Sequence, residues 1–131
     1  MALANILCRA QVGIDAPIVN VEVHVGNGLP TVSIVGLPEK AVKESKDRVH
    51  AALNNCGFDM PTQKITISLA PADLPKEGGR YDLPIALGVL AASRQIPVER
   101  LEGHVFAGEL ALSGELRPIR GALPMALACA D

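Results

Sequence analysis

Hydrophobic and polar residues alternate through the first third of the chain. Ile6, Cys8, Ala10, Val12 and Ile14 share one face and Leu7, Arg9 and Gln11 the other, the period of two of a half-buried strand. After Asp15 and Pro17 the alternation restarts, with Val19, Val21, Val23 and Val25 against Asn20, Glu22 and His24. The segment from Gly26 to Pro30 then turns the chain into Thr31–Val35, because glycine supplies a positive φ and proline a fixed one. The pattern predicts a three-stranded antiparallel meander.

From Pro38 to Asn55 the period changes. Val42, Val49, Ala52 and Leu53 lie on one helical face, and Glu39–Lys43, Lys40–Glu44 and Glu44–Arg48 are i,i+4 pairs of opposite charge on the other. Pro38 suits a first turn and Gly57 a C-terminal stop. Lys64–Leu69 alternates again as a strand. A loop rich in glycine and proline leads to Asp82, read as the N-cap of a helix running to about Ser93. On that reading Asp82→Ala costs roughly 0.5–2 kcal/mol, and Arg80→Ala costs little unless a buried acid pairs with it. The helix is apolar on nearly all sides and should be buried. Residues 103–118 read as a hairpin turning at Ser113-Gly114. A third helix begins at Gly121 and reaches Asp131 without a C-cap, so the domain is expected to be truncated at its C-terminal end.

A chain of 131 residues is one domain by length, and 49% hydrophobic residues supply a core. That core is aliphatic: there is no Trp, one Tyr and two Phe, poor material for stacking bases. A net charge of −2 gives no pull toward nucleic acid. Cys8, Cys56 and Cys129, like His24, His50 and His104, are scattered, which favours incidental thiols over a disulfide framework or metal site. The opening residues carry no signal-peptide pattern, and no run approaches the ~20 apolar residues of a membrane span. A cytoplasmic location is expected.

The candidate chemistry is sparse. The loop Lys76, Glu77, Gly78, Gly79, Arg80 precedes a helix, so its amides could hold an anion, but a solvated turn is the favoured reading. It is not a P-loop, since GxxxxGK[ST] occurs nowhere. Ser33, Ser45, Ser68, Ser93 and Ser113 all lie outside GxSxG. Glu109 and Glu115 flank a turn and could form an acid/base pair, although hairpin carboxylates are usually solvated. The residues describe an α/β domain without a catalytic constellation.

Three long stretches, read together, resemble the N-terminal domain of the ComM/YifB family of Mg-chelatase-like AAA+ ATPases. They are SIVGLPEKAVKESKDRVHAAL (33–53), LAPADLPKEGGRYDLPIALGVL (69–90) and GELALSGELRPIRGALPM (108–125). The resemblance implies a single Lon-protease-like α+β domain over residues 1–131, an antiparallel meander plus mixed sheet packed against two or three helices. It implies that an AAA+ module with Walker motifs follows residue 131, that ATP and Mg serve that module alone, and that the full-length protein forms a homo-hexamer. It links the family to branch migration of DNA in natural transformation and recombination; RadA carries a similar Lon-like domain. Implied partners are the chain's own AAA+ module, neighbouring subunits and, through the full-length protein, DNA, with no membrane.

Active Lon proteases carry their serine in Lys-Asp-Gly-Pro-Ser-Ala-Gly; here Arg80 occupies that position and no lysine follows Gly121. An arginine stays protonated and cannot attack a carbonyl. The resemblance therefore assigns no catalytic, cofactor or metal residue to this chain. It leaves Lys76, Glu77, Gly78, Gly79, Arg80 and Asp82 as a candidate contact loop in an accessory, non-catalytic domain. The alternatives are a Lon-type serine-lysine peptidase domain and a subunit of a metal chelatase.

Overall fold

The computed structural model describes residues 2–130. Four strands, β1 (Ala2–Arg9), β2 (Ile18–Gly26), β3 (Thr31–Val35) and β4 (Lys64–Ala70), form one mixed sheet in the order β1-β2-β4-β3. β1 and β2 pair antiparallel with Ile6 opposite Val21, and β2 and β4 antiparallel with Val23 opposite Ile67. β3 runs parallel to β4. The α+β class is as expected, but the meander needs correction. β3 does not turn back onto β2, because β4 takes that place and β3 becomes the outer strand. The local turn signal at Gly26–Pro30 marks a change of direction without specifying which neighbour the next strand meets.

The first strand is shorter than its alternation suggested. It stops at Arg9, and residues 10–17 form a small loop closed by the Val12–Asp15 bridge, which leaves Val12 and Ile14 exposed. The helix expected over 38–55 is two pieces, α1 (Lys40–Lys43) and α2 (Ser45–Asn55), separated at Glu44. Val42, Val49, Ala52 and Leu53 are buried as the pattern required, and Gly57 adopts φ +85° just past α2. None of the anticipated i,i+4 charge pairs closes among the described residues; Arg48 turns to Asp82 instead.

The third helix, α3 (Asp82–Ala92), packs across β1 and β2 and beside α2. Ile6, Cys8, Val19, Val21, Val23, Ile65, Ile67 and Leu69 from the sheet meet Val49, Leu53, Ile85 and Val89 from the helices in one aliphatic core. Gly88 lets α3 approach closely: a Cβ there would lie 2.5 Å from Val23 Cγ2. The expected hairpin is present as β5 (Glu109–Leu110) and β6 (Leu116–Arg117), turning at Ser113 and Gly114. Val105 lies outside it and instead bridges Leu7 in parallel. The last helix, α4 (Ala122–Ala130), follows; Asp131, included in the expected third helix, lies outside the described residues. No described helix is long and apolar enough to cross a membrane.

Candidate functional site

The loop between β4 and α3 is held from below by main-chain pairing. The Lys76 amide donates to the Leu37 carbonyl at 3.1 Å and the Glu39 amide to the Lys76 carbonyl at 3.0 Å, which fixes the loop to the segment entering α1. The Glu39 carboxylate accepts from the Gly78 amide at 2.8 Å, and Gly78 takes φ +79°, a region that favours glycine. Glu109 of β5 lies against Gly79, where its Oε1 would be 2.3 Å from any added Cβ.

The loop is only in part a solvated turn, since Glu77 and Gly78 are exposed. Lys76 and Arg80 are both buried, which corrects the sequence reading. Lys76 points inward and its Nζ donates to the Pro71 carbonyl. Burial holds its ammonium below the ordinary lysine range, partly offset by the Asp73 carboxylate. Arg80 donates from Nη1 to the Arg9 carbonyl at 3.3 Å, and from Nη2 to Gln11 Oε1 at 3.4 Å and to the Arg120 carbonyl. One side chain thus ties the end of β1, the 10–17 loop and the entry to α4. The oxygens it reaches are all neutral, and among the described residues no buried acid pairs with it.

Asp82 belongs to a different structure. It is the first helical residue, Tyr81 occupies the N-cap position, and no side chain makes a capping hydrogen bond there. The capping assignment is therefore wrong. The carboxylate is fully buried and accepts from Ser45 Oγ at 2.5 Å, Arg48 Nε at 2.7 Å, Arg48 Nη2 at 3.0 Å and the Leu110 amide at 3.0 Å. It joins α2, α3 and β5 at one point. The hydrogen bond that Arg48 donates to Asp82 holds its guanidinium above its ordinary range, against the opposing effect of burial. The sequence contains one half of this network legibly, since Ser45 and Arg48 are one turn apart. The partner 34 residues beyond Arg48 has no local signature.

The remaining candidates do not converge. Ser45 is fully buried, and its hydroxyl is committed to the Asp82 carboxylate, which Arg48 also engages, so no substrate can reach it. Ser93 bonds back to the Val89 carbonyl, and Ser33 and Ser68 lie on the sheet face turned from the helices. Glu109 pairs in register with Arg117, while Glu115 sits in the turn. Two buried groups shift without any partner suited to chemistry: burial pushes the Cys8 thiol up to about 12 and raises the Tyr81 hydroxyl above its ordinary range. Among the described residues, no three His, Cys, Asp or Glu side chains gather as a metal would need. The glycines do not suit a triphosphate either, because Glu39 occupies the Gly78 amide and Asp82 stands in the first turn of α3.

Two cavities adjoin the loop. One of about 630 Å³ is bounded by Ala10, Val12, Leu74, Pro75, Arg80 and Arg120 among others, and one of about 250 Å³ by Gly79, Arg80, Glu109 and Ile119. Arg80 is common to both. The protein family described as Subunit ChlI of Mg-chelatase matches residues 21–131. YifB of Salmonella typhimurium is 56% identical over 126 residues, covering 96% of this chain and 25% of that protein. Competence protein ComM of Haemophilus influenzae is 55% identical over 128 residues, covering 98% and 25%, and Rv2897c of Mycobacterium tuberculosis is 48% identical over the same shares. The chain therefore spans about a quarter of the length of the relatives it matches.

Proposed function

From the premise that this chain belongs to the ComM/YifB family of Mg-chelatase-like proteins, we propose that it is the non-catalytic accessory domain of a longer, cytoplasmic AAA+ motor. The motor uses ATP and Mg through a module outside this chain, assembles as a hexameric ring and remodels DNA by branch migration during transformation and recombination. The relative named Competence protein ComM supports the direction of that reading. Within the motor, the present domain holds geometry: it contacts its own ATPase module and neighbouring subunits and performs no bond-breaking step.

The observation that carries the accessory role is Arg80. At the position where a Lon-type peptidase needs a nucleophile stands a guanidinium engaged with the carbonyls of Arg9 and Arg120. A group that is permanently protonated and surrounded by carbonyl oxygens organises the backbone and cannot attack a substrate. The full-length protein is expected to hydrolyse ATP with Mg and to move a four-way DNA junction, whereas residues 1–131 alone cleave no casein and turn over no ATP. Casein cleavage by this chain that is abolished by one serine substitution would refute the accessory role. Junction-independent ATP turnover by the full-length protein, with no movement of DNA, would refute the remodelling role.

A further inference from the structure

The loop that ends at α3 encloses two cations, Lys76 and Arg80, and among the described residues neither is paired with a carboxylate. A buried charge without a counter-ion is costly, and its cost is relieved when an anion is brought to it. Arg80 has five donor hydrogens. Its hydrogen bonds go to neutral oxygens, and two of them are long, at 3.3 and 3.4 Å. Arg80 is 7% exposed and forms part of the wall of the larger cavity. Among the described residues the amides of Gly79, Arg80 and Tyr81, immediately before the eleven-residue α3, donate to no protein acceptor. Free amides at a helix N-terminus carry partial positive charge of the same sense as the guanidinium.

We infer that the larger cavity is a binding site for a single carboxylate carried on an aliphatic peptide segment, with the Arg80 guanidinium as its anchor. The walls select this chemistry. Ala10, Val12, Leu74 and Pro75 are aliphatic and suit hydrocarbon flanking the acid. Glu39 and Glu77 border the same cavity, and Glu39 is already held by the Gly78 amide. Glu39 and Glu77 match Arg80 and Arg120 in number, so a polyphosphate or a nucleic-acid backbone would leave the cavity with several uncompensated negative charges, whereas a single carboxylate on Arg80 adds only one. The smaller cavity is bordered by the same two arginines and likewise by two glutamates, Glu77 and Glu109, but at about 250 Å³ against about 630 Å³ it has less room for the residues flanking an acid. This site stands independently of the motor reading, because it is built within this chain.

The test is a titration of the ¹⁵N-labelled chain with acetyl-Val-Glu-Val-amide, acetyl-Val-Gln-Val-amide and inorganic phosphate, following the Arg80 Nε–H signal and the Gly79, Arg80 and Tyr81 amides. The glutamate peptide is expected to shift these signals saturably, the glutamine peptide at least about tenfold more weakly, and phosphate not measurably at the same concentration. Arg80→Lys keeps the charge but loses the planar fork, and should weaken the glutamate peptide about tenfold. Equal binding of the two peptides, phosphate binding as tight as the glutamate peptide, or no saturable shift would each overturn the proposal. If Arg80→Lys fails to fold, the comparison of the two peptides on the unaltered chain still decides.

Discussion

Replacing Asp82 by alanine removes four hydrogen bonds from the junction of α2, α3 and β5. Breaking a buried ion pair by deleting one partner typically costs about 3–5 kcal/mol, because the other charge stays behind. Here the Arg48 side chain is 22% exposed while Asp82 is 0% exposed. Water can therefore recover part of the guanidinium's solvation, which points to the lower half of that range. The Leu110 amide loses its acceptor in a buried position, worth about 1–3 kcal/mol, though not additively with the first term. The expected total is about 3–4 kcal/mol, well above the roughly 0.5–2 kcal/mol of a lost helix cap. For a domain of this size that is a fall of roughly 10–15 °C in Tm. Urea unfolding of the parent, Asp82→Ala, Arg48→Ala and the double variant measures both the loss and the coupling, which should be about 2 kcal/mol. Asp82→Asn, which keeps the shape and part of the hydrogen bonding, should fall between. A loss below about 1 kcal/mol for Asp82→Ala, or a coupling near zero, would refute the claim that this pair fastens the two helices.

Gly88→Ala brings a methyl group to 2.5 Å from Val23 Cγ2; the strain, about 1–3 kcal/mol, should outweigh the ~1 kcal/mol gain in helix propensity, and a thermal melt above the parent's would contradict it. Cys8 is buried and its thiol is pushed up to about 12, so at pH 8 a disulfide reagent should titrate Cys56 and Cys129 rapidly and Cys8 only as the chain unfolds. Rapid reaction of all three thiols without denaturant would overturn that. Lys76 has a folded-state value lowered by burial, so the unfolded chain binds more protons in the window between that value and the ordinary lysine range. Its contribution to stability should therefore rise with pH through that window, complete above the unfolded value of about 10.4 and lost as pH falls through the folded one. The stability difference between the parent and Lys76→Met, followed from pH 7 toward 10.5, should show this upward slope, and a flat difference would count against the assignment.

Periodicity located the elements well where one face meets the core. Val19, Val21, Val23 and Val25 are all buried, as are Val42, Val49, Ala52 and Leu53, because a half-buried strand or helix must repeat its apolar residues at the period of its geometry. The same signal overran its limits at Val12 and Ile14, whose alternation continued past the point where β1 loses its partner. The family, too, was legible from the three stretches at 33–53, 69–90 and 108–125, since long ordered motifs carry information that no single loop does. The candidate loop 76–80 is legible in sequence, but the burial of Lys76 and Arg80 within it is not. Charged residues beside glycines look solvated in one dimension, which holds for Glu77, whereas the packing of the 10–17 loop and the entry to α4 encloses Arg80.

The sequence by itself determined roughly where most strands and helices lie, which of their faces are apolar, and to which family the chain belongs. Each of these rests on neighbours within a few positions or on a long linear match. Tertiary structure alone decided that β4 would separate β2 from β3, since strand order depends on which apolar faces can be covered together and not on the turn that links two strands. It alone decided that Asp82 would leave its own helix end for Ser45 and Arg48. Several surface carboxylates lay closer to Arg48 along the chain, among them Glu44. The buried one won because, with fewer waters to screen it, an enclosed carboxylate holds a guanidinium more strongly than an exposed one does.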